Sequence, residues 1–476
     1  MFLTSPQYRT ISRSEVRLHE QMLKEGLAAL QIRGIRPKPP WPHTWGTASI
    51  FHKKSGILTK DRPLVSYFLH SGKEIFSAFG RAGVWFIQQV VRDHICVFSA
   101  QRVTSNFNDF SAKLKFERND NIANLHISAF KFDIDNFFPN IPRALLKESW
   151  QWILTKAAND YGKQGLARYN YIHLPLQYKG GGKTTNEFFM KFEEFCQTRN
   201  YKNKLRRIYK EKPTPFFSNR RTPEKGFISI KIKDIFTATF LDQDNAVVFF
   251  GNIPLLQLDG SPQGSPMSMS NATAVAVYLE AKNWQAVFSQ IAGMLNTAYL
   301  RIMRQRWVDD LFLIIVTDCP FPEHGQSNVH HIMENMYKPF KLKIEDADVF
   351  VGFRPLFEGG RIQFSIATRD ISEMLTSGRP NFVNSRSNIS EKQIEGTITG
   401  AILRCLDCSS DSEQCTLALQ STLTELCLLK FAPKIFVRCL YKLQKRYEIM
   451  NEFLREFRFL CSTRNERSVP SLTTDF

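Results

Sequence analysis

Phe132-Asp133-Ile134-Asp135-Asn136-Phe137-Phe138-Pro139-Asn140-Ile141-Pro142 decides how this 476-residue chain is read. The residues leading into it alternate, with Phe130 and Phe132 on one face, which is the period-two pattern of a half-buried strand. The strand thus ends at a carboxylate, Asp133, and a bulky aromatic, Phe138, stands five residues further on. An acidic strand end followed at that spacing by an aromatic suits nucleotidyl transfer.

Two later stretches complete the constellation. Leu255 to Leu258 reads as a strand entering the turn Ser261-Pro262-Gln263-Gly264-Ser265-Pro266-Met267-Ser268, and Ala272 to Val287 reads as the helix after it. Gly264, without a side chain, lets backbone approach a ligand closely, and Gln263 can both donate and accept hydrogen bonds. Residues 299 to 316 read as two strands, with Val308-Asp309-Asp310 at the hairpin between Arg306-Trp307 and the apolar run Leu311-Phe312-Leu313-Ile314-Ile315-Val316. A carboxylate pair on a solvated turn can be purely structural, but one wedged between apolar strands costs desolvation and calls for a cation.

Joining a nucleotide to a primer 3′ hydroxyl needs a deprotonated oxygen and a stabilised pyrophosphate, which two magnesium ions about 4 Å apart can supply together. Magnesium takes hard oxygen ligands, typically a few carboxylates with substrate phosphates and water. Asp133 and Asp309 are the candidate ligands, the Ile134 carbonyl completes the nucleotide metal, and Asp310 is a flanking carboxylate. Mn²⁺ is the expected substitute for Mg²⁺.

Composition agrees with a polyanionic partner. The formal net charge is +18, and neutralising phosphates releases counterions and drives binding, although a basic surface can also be merely solvated. No apolar run approaches the roughly eighteen residues of a bilayer span, and the start Met1-Phe2-Leu3-Thr4-Ser5-Pro6 has no basic head before a long apolar stretch. An intracellular protein without a membrane role is expected. Nine cysteines over so long a chain do not form the dense framework of a small secreted domain, so reduced thiols are expected.

The remaining chain frames these motifs. Residues 14 to 31 have helical spacing after a potential cap, Ser14, and Gly34 with Pro37-Lys38-Pro39-Pro40-Trp41-Pro42 ends that helix. Thr47 to Ser66 breaks into strand-like pieces carrying Lys54 and Arg62, a mobile point charge and a planar fork able to hold a triphosphate. Helices follow at about 73 to 91 and from Pro142 to about Ala158, the second carrying a core tryptophan, Trp150. Residues 179 to 233 contain 15 basic and 5 acidic residues interleaved with Phe188, Phe189, Phe192, Tyr201, Tyr209, Phe216 and Phe217. That mixture fits a nucleic-acid groove, with Lys202, Lys204, Arg206 and Arg207 on the backbone, and equally an ordinary amphipathic insertion. Gly180-Gly181-Gly182-Lys183-Thr184 is no phosphate loop, because Gln177 stands where that pattern needs glycine. Lys341 to Ile344 and Val349 to Phe353 read as further strands of a mainly antiparallel sheet. From about Glu391 the spacing is helical, over 394 to 406, 417 to 429 and 435 to 454. Cys405, Cys408, Cys415 and Cys427 raise a zinc site, against the commoner buried free thiol.

Taken together, these stretches resemble reverse transcriptases, and among them the Penelope-like retroelement group. Arg62-Pro63-Leu64-Val65-Ser66 is similar to that group's fingers motif Arg-Pro-Ile-Val-Ser, Asn140-Ile141-Pro142 to the end of its palm motif, and Gly396, Gly400, Leu403-Arg404 and Cys408 to its thumb. Trp307 stands in place of the usual tyrosine. The resemblance implies an α+β, right-hand polymerase with an antiparallel-sheet palm, mixed fingers and a helical thumb. The corresponding spans are an N-terminal extension at 1–45, fingers at 46–130, a palm at 131–370 with its basic insertion, and a thumb and tail at 371–476. It also implies Asp133, Asp309 and Asp310 as catalytic carboxylates, with Arg62, Phe138, Gln263, Gly264, Lys54 and Lys343 at the nucleotide. The expected activity is RNA-directed DNA synthesis from an RNA template, a DNA primer and deoxynucleoside triphosphates. The alternatives are an RNA-directed RNA polymerase and a non-catalytic nucleic-acid-binding descendant.

Overall fold

The computed structural model describes residues 7–30, 32–34, 46–55, 58–66, 72–118, 124–162, 165–176, 214–223, 225–262, 264–322, 325–358, 361–367, 391–410, 412–428 and 433–444. They form two compact units, one from 1–99 with 128–345 and the other from 100–127 with 346–476. The fold is α+β, and the sheet that bears the aspartates is built from antiparallel hairpins and strand pairs, the palm-type arrangement expected from the sequence.

In the first unit the central sheet holds β5 (His126–Ile134), β11 (Leu300–Trp307), β12 (Asp310–Thr317) and β13 (Leu342–Glu345), in the order β11-β12-β5-β13. β5 keeps the expected alternation. Phe130, Phe132 and Ile134 are buried while Lys131 and Asp133 are half-buried on the other face. The Phe130 and Phe132 rings lie parallel, 6.4 Å apart. β12 is buried from Leu311 to Val316, which is why its sequence is a continuous apolar run rather than an alternating one.

The first unit holds two more sheets. β1 (Tyr8–Thr10), β10 (Ile253–Gln257), β9 (Val247–Phe250), β3 (Gly46–Ser55) and β4 (Leu58–Ser66) form a five-stranded sheet in that order, in which β3 and β4 make the expected hairpin and β3 joins β9 in parallel. β2 (Ile32–Arg33), β8 (Phe227–Lys231), β6 (Tyr171–Pro175) and β7 (Phe216–Ser218) form the other. The end of the basic stretch is therefore sheet rather than insertion. Phe217 packs 4.7 Å from Trp85 and 5.7 Å from Tyr169, and Phe216 lies against His173 and Phe227, so both rings have aromatic partners within the fold. Residues 177–213, with Lys202, Lys204, Arg206 and Arg207, lie outside the described residues.

Helices fill the faces. α1 (Arg13–Ala29) is capped by Ser12 instead of Ser14: the Ser12 hydroxyl accepts from the Glu15 amide at 3.2 Å, and the Glu15 carboxylate accepts from the Ser12 amide at 2.7 Å. Glutamate three residues after serine makes this reciprocal box possible, and Ser14 lacks such a partner. α2 (Lys73–Val90) and α4 (Arg143–Ala158) lie close to their expected bounds, with Trp150 fully buried. α5 (Ile232–Asp244) precedes β9, and α7 (Gly325–Met336) precedes β13. α6 (Ser268–Leu295) is longer than its sequence pattern suggests; it is buried from Ser270 to Glu280, then leaves only the stripe Val287, Ile291 and Leu295 inside.

α2 meets the start of α6 through Gly80, where an added Cβ would stand 2.3 Å from the Pro266 carbonyl oxygen. Gly80→Ala is expected to cost about 1–3 kcal/mol in denaturant unfolding, since backbone must move to admit it. Gly293→Ala, in open space on α6, is expected to add about 0.4–1 kcal/mol. Equal effects of the two would contradict the close approach.

The second unit contains α3 (Ala100–Glu117), the hairpin β14 (Phe353–Glu358) and β15 (Arg361–Ile366), and α8 (Glu391–Cys408), α9 (Ser412–Leu428) and α10 (Pro433–Gln444). The strand expected over 349–353 is a turn: Val351 and Gly352 take φ of 52° and 78°, and Phe350 and Phe353 exchange backbone hydrogen bonds. The turn ends pairing there and starts β14 at Phe353. Phe107 of α3 stacks on Phe364 at 5.5 Å. Cys405, Cys408 and Cys415 are buried in the helical core, Cys405 beside the Thr422 hydroxyl at 3.4 Å, and among the described residues no metal cluster includes them.

Candidate active site

The first carboxylate is placed by β5 and the second by a hairpin. Trp307 and Asp310 are the closing pair of β11 and β12, which leaves Val308-Asp309 as a two-residue turn. Such turns need positive φ, and Val308 adopts 59°, an uncommon conformation for a β-branched residue. The Ile134 amide donates to the Asp309 carbonyl at 3.1 Å, so the turn sits beside the end of β5 and next to Asp133. Ile134 therefore touches Asp309 through its N–H.

On the other side β13 aligns Lys343 with Asp133 and Glu345 with Lys131. Residues opposite one another share a sheet face, so Asp133, Lys343, Lys131 and Glu345 lie together. Lys131 pairs with Glu345 at 2.7 Å, and the Lys343 ammonium pairs with Asp135. Sequence reasoning missed both acidic partners.

The electrostatics are those of crowded anions. Burial, then Asp309, Glu345 and Asp310, push the Asp133 carboxyl up to about 6, against the pull of Lys343. Burial also raises Asp309, opposed by its own backbone amide and Arg306 and reinforced by Glu345. Burial raises Asp310 too, with Lys131 opposing and Asp309 and Glu345 reinforcing. An Asp whose folded pKa is raised destabilises the fold above that pKa, and the penalty fades as pH falls through about 6 towards 4. Metal-free Asp133→Asn is accordingly expected to be more stable than the parent at pH 8 by on the order of 1 kcal/mol, allowing for solvent screening, and equal to it near pH 4. Thermal unfolding in EDTA at both pH values checks this; no gain at pH 8 would contradict the crowding.

Among the described residues no three His, Cys, Asp or Glu side chains form a closed metal cage. Magnesium does not require one, because it commonly uses one or two carboxylates and completes its shell with phosphate and water. Asp133 and Asp309, hard oxygen donors of which the second raises the pKa of the first, fit a cation shared with a phosphate-bearing substrate.

The third motif is bound to the first by backbone. The Ser261 amide donates to the Phe138 carbonyl at 2.7 Å, and Gly260, at φ 82°, lies where a Cβ would be 2.4 Å from the Pro139 carbonyl oxygen. Gln7 also donates to that Pro139 carbonyl at 2.7 Å. The Asp259-Gly260 dipeptide is the sequence signal for this turn. Gly264 takes φ of 93°, a conformation that favours glycine, and Gln263 lies outside the described residues. The Ser265 hydroxyl donates to buried Asp242 at 2.6 Å and accepts from the Met267 amide at 3.1 Å. Burial pushes Asp242 up to about 7, while the Ser265 hydrogen bond pulls it down. Asp242 sits on a helix without a motif, so no sequence signal marks it.

Phe137 and Phe138 divide the aromatic roles. Phe137 is fully buried, edge-on to Phe340 at 5.0 Å, whereas Phe138 is only partly buried, with its ring 6.1 Å from that of Phe137. Arg62 and Lys54 lie on paired strands opposite Phe51 and Thr59, and their side chains are outside the described set.

No family model and no curated protein matches the chain. Among solved structures it is similar to telomerase from Candida albicans in complex with a TWJ fragment of telomeric RNA, at 14% identity and a TM-score of 0.47, over 93% of this chain and 63% of that one. It is also similar to apo telomerase from Candida tropicalis, at 13% identity and a TM-score of 0.44, over 93% and 66% of the two chains. The RNA-dependent RNA polymerase of BmCPV at its elongation state follows at 10% identity and a TM-score of 0.37, over 87% and 28%. The chain thus spans less than two thirds of the length of each of these structures.

Proposed function

We propose that this chain is a magnesium-dependent, RNA-directed DNA polymerase of the reverse-transcriptase kind, most similar to Penelope-like retroelement enzymes. The observation that carries the reading is the seating of Asp133 at the end of β5 beside the Val308-Asp309 hairpin turn, fixed by the Ile134-to-Asp309 backbone bond. When bound there, Mg²⁺ would activate the primer 3′ hydroxyl and neutralise the departing pyrophosphate. Asp133 and Asp309 hold the cations, and Asp310 adds negative charge at their flank. Lys343 supplies positive charge on the β13 edge, Phe138 borders the sugar of the incoming deoxynucleotide, and Gln263 with Gly264 borders its base and backbone side. Arg62 and Lys54 are assigned to the triphosphate. Residues 46–130, 131–370 and 371–476 act as fingers, palm and thumb.

The testing experiment is primer extension by purified protein on RNA and DNA templates, with deoxynucleotides and ribonucleotides supplied separately. RNA-templated deoxynucleotide incorporation is expected. Ribonucleotide incorporation alone would support RNA synthesis, and template binding without incorporation would support a non-catalytic descendant.

The basic stretch is assigned to holding the template–primer. Replacing Lys202, Lys204, Arg206 and Arg207 together by glutamine is expected to weaken binding and flatten its dependence on salt by up to about four counterions. A salt slope equal to that of the parent would return the stretch to a solvated surface.

A further inference from the structure

Arg306 is 1% exposed, yet it belongs to the strand that ends at the carboxylate turn. Its guanidinium donates in three directions: through Nε to Glu280, through Nη2 to Cys96 Sγ, and through Nη1 to the Val308 carbonyl at 2.7 Å. Glu280 is itself buried and accepts from the Tyr337 hydroxyl at 2.7 Å. Burial pushes the Cys96 thiol up to about 12, which leaves it neutral beside the cation. The Arg306 backbone is also fixed, donating to Ile95 O and accepting from Val97 N, each at 2.8 Å.

This network does more than fill the core. Val308 holds φ of 59°, which a β-branched side chain resists, so the surroundings must impose it. The Nη1 bond to its carbonyl is a side-chain restraint on that peptide, whose other end is Asp309. Glu280 lies on α6, the helix that follows the Ser261 to Ser268 turn. The nucleotide-side turn and the carboxylate turn are thereby joined through Glu280 and Arg306.

We infer that Arg306 is a positioning residue that holds the Val308-Asp309 turn in its strained form and so presents the Asp309 carboxylate to the cation, with Glu280 orienting the guanidinium. This rests on the proposed metal-dependent reading of the same site. Lysine keeps the charge but offers no planar fork, so it cannot serve Glu280, Cys96 and Val308 together.

The test compares the parent with Arg306→Lys, Asp309→Asn, and Val308→Gly made in the parent and in the Arg306→Lys background. Two readouts are taken on folded protein: the Mg²⁺ concentration for half-maximal primer extension, and cleavage of the chain near residues 133 and 309 by bound Fe²⁺ with ascorbate and peroxide. Arg306→Lys is expected to raise the Mg²⁺ requirement and reduce local cleavage by about 10–100-fold, leaving primer–template affinity unchanged. Glycine takes positive φ freely, so the double variant is expected to regain part of that loss. A purely structural arginine would lower the folded fraction without moving the Mg²⁺ requirement, and its effect would add to that of Val308→Gly. Should Arg306→Lys fail to fold, Glu280→Gln carries the same expectation with a smaller shift. Normal cleavage and Mg²⁺ requirement in a folded Arg306→Lys variant would overturn the positioning role alone. Unchanged cleavage in Asp309→Asn would overturn the metal reading, and the positioning role with it.

Discussion

Asp133→Asn and Asp309→Asn are each expected to slow primer extension by about a thousandfold or more while leaving primer–template affinity within about twofold. The size follows from the several kcal/mol of charge stabilisation a cation gives such a transition state, at 1.36 kcal/mol per factor of ten. Affinity is spared because phosphate contacts spread over a basic chain of net charge +18 supply most of it. Asp310→Asn is expected to lose only about tenfold, since it opens β12 opposite Trp307 and stands at the flank of the Asp133 and Asp309 pair. Single-turnover extension and equilibrium binding measured on the same preparations separate the two effects. Near-parental extension by either of the first two variants would remove that aspartate from the site.

Phe138→Ala is expected to admit ribonucleotides, lowering the ratio of deoxynucleotide to ribonucleotide incorporation by about ten- to a hundredfold. The estimate takes the overlap of a ring with a 2′ hydroxyl as an overpacking cost of about 1–3 kcal/mol. The structure divides the neighbouring rings in a way that makes the test clean. Phe137 is the core aromatic, packed on Phe340, so Phe137→Ala is expected to cost about 3–5 kcal/mol of stability. Phe138 is partly buried, and its backbone is held through Ser261 regardless of its side chain. Truncating it leaves that anchor in place. Incorporation ratios measured at matched template and primer concentrations decide the matter, because partial unfolding lowers both rates and leaves their ratio fixed. An unchanged ratio in folded Phe138→Ala would show that this ring is not the sugar gate, and would strengthen the RNA-synthesising alternative.

What the sequence disclosed and what it hid have a common physical reason. The positions of Asp133 and Asp309 in the fold were legible because each adjoins an apolar strand, where a change of residue type is sharp. Phe130 and Phe132 announced β5 by alternation, and the run from Leu311 to Val316 announced a central strand by its lack of it. Capping was misread by two residues because Ser12 and Ser14 are chemically alike, and only the reach of Glu15 selects between them. The strand expected at 349–353 failed because apolar valines and phenylalanines fit a strand pattern, whereas positive φ at Val351 and Gly352 is a matter of context. Helix α3 passed unread, since polar residues interrupt its apolar spacing and Val103, Phe107 and Leu114 acquire their burial from tertiary packing. Asp242, Glu280 and Arg306 were hidden for a different reason. Their meaning lies in hydrogen bonds made across the sequence, Asp242 with Ser265 and Glu280 with Arg306, and no local pattern encodes a partner 23 or 26 residues away.

The central claim is that Asp133 and Asp309 form a divalent-cation site for adding a deoxynucleotide to a primer. The most direct test is incorporation of a single deoxynucleotide onto a DNA primer annealed to RNA, with pyrophosphate release followed in the same reaction, in Mg²⁺ and in excess EDTA. The account predicts one pyrophosphate released for each nucleotide added in Mg²⁺, none in EDTA, and none from the Asp309→Asn variant in either. Firm binding of the primer–template by the parent, with neither incorporation nor pyrophosphate release across a full range of Mg²⁺ and Mn²⁺ concentrations, would contradict it.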